Sequence, residues 1–167
     1  MSRRDLLIAP VAEGLLILIV SIIGWASHQP LIFASLGPTA YELVETPKRP
    51  SARTYNVVVG HLIAVLAGFA ALFIVRAWSA PPVSGHGVPL LRVWAAVIAA
   101  ALTAFFTLLL RASQPASLST TLLISLGLMQ TAQDGFMIMA GVILITLVGE
   151  PIRILRLKRL SEIPPAQ

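Results

Sequence analysis

The chain has no cysteine and little charge. Without cysteine there is no disulfide framework and no thiolate metal site. The three histidines, His28, His61 and His86, lie far apart and include no H-x-x-x-H pair, so zinc-ligand spacing is missing as well and no metal site is expected. Charged residues make up 11% of the 167 residues, against about a quarter in soluble domains. So few charges could not coat a water-facing surface. There is also no catalytic triad, P-loop, paired-carboxylate set or dinucleotide fingerprint. The chain therefore reads as no enzyme, with no cofactor. The net charge of +5 comes with no aromatic and basic platform for nucleic acid. Its basic residues sit instead at the ends of apolar runs, as cytoplasmic flanks of membrane helices do.

What is present is apolar. Hydrophobic residues reach 57% and the mean hydropathy is +0.88, in runs too long for one face of a soluble helix. The expected solvent is the lipid bilayer, which about 20 apolar residues can cross. Four runs qualify: Leu6–Ala26, Asn56–Trp78, Pro89–Leu110 and Gly135–Leu155. The first exceeds a signal h-region of about 7–15 residues, so it reads as a retained span. The sequence predicts an all-α polytopic bundle with one transmembrane domain over residues 1–155. A basic, Pro-rich cytoplasmic tail would follow over 156–167.

Two shorter apolar runs, Leu31–Val44 and Pro115–Gln130, lie between the long ones. At a rise of about 1.5 Å per residue they are marginal for a crossing. They resemble each other. One follows His28-Gln29-Pro30 and holds Ser35-Leu36-Gly37-Pro38-Thr39-Ala40; the other follows Ser113-Gln114-Pro115 and holds Ser117-Leu118-Ser119-Thr120-Thr121-Leu122. The pattern suggests a long–short–long unit used twice, over residues about 6–78 and 89–155.

If the short runs are re-entrant, four spans remain and the Lys/Arg count is eight on the cytoplasmic side against four outside. If they cross, there are six membrane segments, two of them short or broken, and the count is ten against two. The positive-inside rule favours six, with both termini in the cytoplasm. Three segments per unit would give the units opposite orientations. That is the inverted-repeat plan of many secondary transporters, whose sites lie at short or broken helices near the midplane. The loop Ser79–Gly87 then reads as an extracytoplasmic turn.

A buried backbone group in lipid must find a partner. Gly37-Pro38 marks a break, and a helix starting near Pro38 would present amides and a positive dipole end to the interior. Ser35 and Thr39 add hydroxyls there; Ser117, Ser119, Thr120 and Thr121 do so in the second short run. Two such helix starts facing each other would suit a small anion. The blander alternative is that these hydroxyls bond their own helices or glue neighbours together. Asn56 and His61, near the cytoplasmic end of a span, could line the path or bond a neighbouring helix. Gly60, Ala64 and Gly68 form a small-residue face for close packing, and such faces also suit a homo-oligomer. Glu42 and Glu45 read as partners of the basic loop Lys48–Arg53, Glu150 and Arg153 as a local ion pair, and Asp134 as the N-cap of the last helix.

The block Ser35-Leu36-Gly37-Pro38-Thr39-Ala40, then Pro47, Pro50, Ala52, Asn56, Gly60 and His61, resembles the first block of the HPP family of membrane proteins. Gln114-Pro115-Ala116-Ser117 through Leu128 is similar to the second. The His-Pro-Pro signature itself falls on Ser113-Gln114-Pro115, so its histidine and first proline are missing and no role of that histidine carries over. The resemblance spans residues about 6–155 and implies a compact transmembrane domain. Some relatives are implicated in nitrite transport, so the resemblance makes nitrite, or another small anion, the leading substrate of a transporter or channel in a bacterial inner membrane. The other class is a membrane scaffold or accessory subunit that docks a protein through Arg153–Gln167. A wet polar cavity between the short runs would favour transport; direct packing of one against the other would favour the scaffold.

Overall fold

The long apolar runs fold as helices because the bilayer core leaves the backbone no partner but itself. A computed structural model describes residues 5–83 and 87–161. Arg3, Arg4, His86 and the end of the tail lie outside them. The helices are α1 (Asp5–Ser27), α2 (Leu36–Val44), α3 (Thr54–Ile74), α4 (Leu90–Leu109), α5 (Ser117–Ser125) and α6 (Ala132–Ser161). Single 3-10 turns form at Pro50–Ala52 and Ala77–Ser79. Four helices, α1, α3, α4 and α6, are long and apolar enough to cross a membrane. Their outer faces carry exposed Trp25, Phe73, Leu108 and Phe136. The protein is an integral membrane protein.

Helices α2 and α5 have nine residues each, about 14 Å of helix against a hydrocarbon core of about 30 Å. The rest of each short apolar run is non-helical connection. Both follow the same device. Helices α1 and α4 end on left-handed residues, His28 (φ 54°) and Arg111 (φ 52°), and a proline-containing connection then leads back into the bundle. Helix α6 starts differently from the expected cap. The Thr131 hydroxyl accepts from the Asp134 amide, and the Asp134 carboxylate accepts from the Thr131 amide. Thr131 is therefore the N-cap and Asp134 closes a capping box from the third position.

Helices α1, α2 and α6 pack together, and so do α3, α4 and α5; contact between α3 and α6 joins the two groups. Glycines set the close approaches. A Cβ at Gly60 would meet the Ala112 carbonyl oxygen and the Gln114 side chain, and one at Gly141 would meet the Leu31 carbonyl oxygen and the Phe33 ring. Likewise Gly68 faces Ile124 and Gly149 faces Leu43. Every corresponding pair here is 81 residues apart: Gly60 and Gly141, Gly68 and Gly149, Leu31 and Ala112, Phe33 and Gln114, Leu43 and Ile124. Helices α2 and α5 themselves start and end 81 residues apart.

The same spacing relates their C-terminal carbonyls. Val44 O accepts from buried Arg156 and Ser125 O from buried Arg92, each placing a cation at the negative end of a short helix. The first contact lies at what is here called the basic end of the bundle. There Arg153 also donates to Pro47 O, Tyr55 to Leu110 O, and Asn56 to Arg111 O and Ser113 O. The second lies at the opposite end, where Arg92 also donates to Ala80 O, Pro81 O and Gln130 Oε1. Gly127 (φ 84°) takes a left-handed backbone there, and a Cβ would come within 2.6 Å of the guanidinium.

Candidate functional site

The two short helices touch at one polar spot. Ser35, the residue before α2, places its Oγ 2.7 Å from Thr120 Oγ1 in the first turn of α5. Helix α3 supplies His61 beside them: Nδ1 is 2.8 Å from Thr120 Oγ1 and Nε2 is 3.1 Å from Thr39 Oγ1. Thr39 in turn donates to the Ser35 carbonyl at 2.8 Å. Each of these four residues is fully buried.

The proton positions follow from donor counting. Thr39 spends its one hydroxyl proton on Ser35 O, so it accepts from His61 Nε2–H. Nδ1 is then the lone-pair side and accepts from the Thr120 hydroxyl, which accepts from Ser35. The result is a closed, directed loop running from the Ser35 hydroxyl through Thr120, His61 and Thr39 to the Ser35 carbonyl. His61 is neutral and every polar atom is used. Such fully satisfied networks hold buried polar groups at little cost. Three clefts among the described residues lie elsewhere: one lined by Ile63, Leu66, Leu102 and Phe106, one by Thr103, Thr107, Gln114 and Ser117, and one by Phe73, Ile74, Arg76 and Trp78.

Of the residues singled out in the sequence, the structure thus brings Ser35, Thr39, His61 and Thr120 into one constellation. The others stand apart from it. Thr121 pairs with Thr103 of α4 at 2.8 Å. Ser117 bonds back to Gln114 O at 2.6 Å. Ser119 is half-buried outside the loop, Pro38 is exposed, and Gly37 borders open space. Asn56 ties down the connection between α4 and α5. The helix starts also offer fewer amides than expected. Those of Ser117, Leu118 and Ser119 bond the carbonyls of Gln114, Pro115 and Ala116, and those of Leu36 and Thr39 bond Phe33 O and Ser35 O. Tight first turns have consumed the donors that an isolated helix start leaves free.

Three buried polar residues escaped the sequence reading as site members. Arg92 was placed only as a flanking charge. Gln114 marked a motif, and Glu42 was assigned to the basic loop. Glu42 lies one turn after Thr39 on α2, so shared helix face was the available signal.

With this geometry in place, the comparisons identify the family. The model of the HPP transmembrane region matches residues 1–157, and the chain belongs to that family. No curated protein and no solved structure matches it.

Proposed function

We propose that this protein carries a small inorganic anion, with nitrite the leading candidate, across the membrane between its two short helices. In this reading the chain makes six alternating passes as two inverted repeats, about 6–78 and 89–155, with their third helices exchanged. The 81-residue spacing of matched contacts supports the repeat, and the gathering of Lys48, Arg49, Arg53 and Arg111 toward the α6 terminus agrees with a cytoplasmic basic end. The observation that carries the proposal is the buried hydroxyl contact between Ser35, just before α2, and Thr120 of α5, bridged by a neutral imidazole. An ionisable side chain inside a membrane bundle, here His61, marks a candidate pathway.

The arrangement described is closed. Admitting an anion requires α2 and α5 to part, breaking the Ser35–Thr120 bond. The Ser35 and Thr120 hydroxyls could then turn to the guest, while Thr39 and His61 keep their orientation. A specific observation also favours the scaffold reading: the loop satisfies itself completely, so Ser35 and Thr120 meet directly and not across a cavity. Flux decides between them. Proteoliposomes would be assayed with nitrite, nitrate, formate and chloride, with and without a proton gradient. Replacing Ser35 by Ala and Thr120 by Val together should cut wild-type flux by about ten- to a hundredfold, the loss of hydrogen bonds to a charged guest, while Thr120→Ser preserves it. Absence of flux for all four anions through wild-type protein would leave the scaffold.

A further inference from the structure

Below the loop, toward the basic end, lies a second polar constellation. Glu42 of α2 is only 7% exposed and Gln114, in the connection leading to α5, only 3%. Glu42 Oε1 accepts from the Ser51 hydroxyl at 3.2 Å. Gln114 Oε1 accepts from the Ala116 amide at 2.9 Å, which fixes the amide orientation and leaves Nε2 as its free end. Yet Glu42 Oε2 and Gln114 Nε2 are buried and neither has a hydrogen-bond partner. Buried polar atoms are nearly always paired. The unpartnered Oε2 of Glu42 is therefore a buried acceptor that a proton can occupy.

We propose that Glu42 is a proton-binding site that gates the anion path from the basic end; this rests on the transport reading above. An ionised carboxylate between the basic end and the loop repels an entering anion, and the low dielectric around it strengthens that repulsion. A proton bound at Oε2 makes the side chain a neutral acid and removes the barrier. Half-buried Ser51, in the 3-10 turn before α3, links the carboxyl to the surface. On the inner side Thr39 stands one turn away and joins the loop.

The charged neighbours leave this role to Glu42. Arg49 is the cation whose field reaches it. On α6, Glu150 and Arg153 neutralise each other, and Arg156 is turned to Val44 O. Glu13 of α1 is coupled to Glu45. His61 has both ring nitrogens occupied.

The test uses the full chain in liposomes, with nitrite as the anion and a pH-sensitive dye to follow protons. Wild-type flux should rise as the pH at the basic end falls and should be accompanied by proton uptake. Glu42→Gln should lose both the pH dependence and the proton uptake, whereas Glu42→Asp should keep them. Infrared titration provides a readout independent of flux: a carboxyl C=O band should titrate in the wild type, shift in Glu42→Asp and vanish in Glu42→Gln. Unchanged pH dependence in Glu42→Gln, or an unchanged titrating band, would overturn the gate and leave the transport reading standing. Absence of wild-type anion flux would overturn both. If Glu42→Gln does not fold, the Glu42→Asp band shift decides: no shift overturns the site.

Discussion

The two short helices share a backbone plan and differ in chemistry. Each has nine residues, follows a left-handed helix end, is approached by a glycine pair eight residues apart, and ends under a buried arginine. Yet α2 and the residue before it bring Ser35, Thr39 and Glu42, while α5 brings Thr120 to the loop and sends Thr121 to α4. The glycines hold position, and so does one loop hydroxyl, Thr39 matching Thr120, whereas Ser35 and Glu42 fall opposite Ala116 and Leu123. The matched glycines report architecture, while the loop draws on a matched pair, Thr39 and Thr120, and on the unmatched Ser35.

The hardest test of the shared plan is to fill its glycines. Gly141→Val and Gly60→Val should each lower stability by about 3 kcal/mol, because Cβ atoms would fall 2.6–2.7 Å from Leu31 O and the Gln114 side chain with little room to relax. Thermal unfolding in detergent would show it, and tolerance at one site alone would end the equivalence of the halves. The arginine caps come next. Arg92→Met should cost about 2 kcal/mol by stranding buried carbonyls, and Arg156→Met less, since Arg156 is slightly more accessible; the reverse order would undo that ranking. The difference between the short helices is sharpened by a double-mutant cycle. Ser35→Ala with Thr120→Val should show coupling of about 1 kcal/mol, the range of interhelical hydrogen bonds in membranes. Ser35→Ala with Thr121→Val should show none, because Thr121 bonds Thr103. Smallest of all, removing the partly exposed Glu150–Arg153 pair by Glu150→Gln should shift stability by only about 0.5 kcal/mol.

The sequence carried the long helices well, since length and hydropathy alone define them: Leu6–Ala26 became Asp5–Ser27 and Pro89–Leu110 became Leu90–Leu109. It also flagged Ser35, Thr39, His61 and Thr120, because hydroxyls and a histidine in apolar segments need partners. What it could not give was pairing. Matching Gln29-Pro30 with Gln114-Pro115 puts the halves 85 residues apart, while the packing matches them at 81; the connections have slipped relative to the helices, and only glycine contacts expose the register. Glu42 lies beside a basic loop in sequence, so a surface ion pair was the economical reading. Its burial depends on how α2 docks, which one helix cannot announce.

The packing of α6 on α1 and α2 bears on how the protein is made. Helix α2 is short, carries Glu42, and finds its main packing surface on α6, the last helix to be synthesised. Until α6 leaves the ribosome, α1 and α2 have each other but lack their shared neighbour in the lipid, and the polar groups of α2 must be shielded by the insertion machinery. A chain arrested after α5 should therefore be a substrate for membrane quality control, and supplying α6 as a separate segment should rescue it.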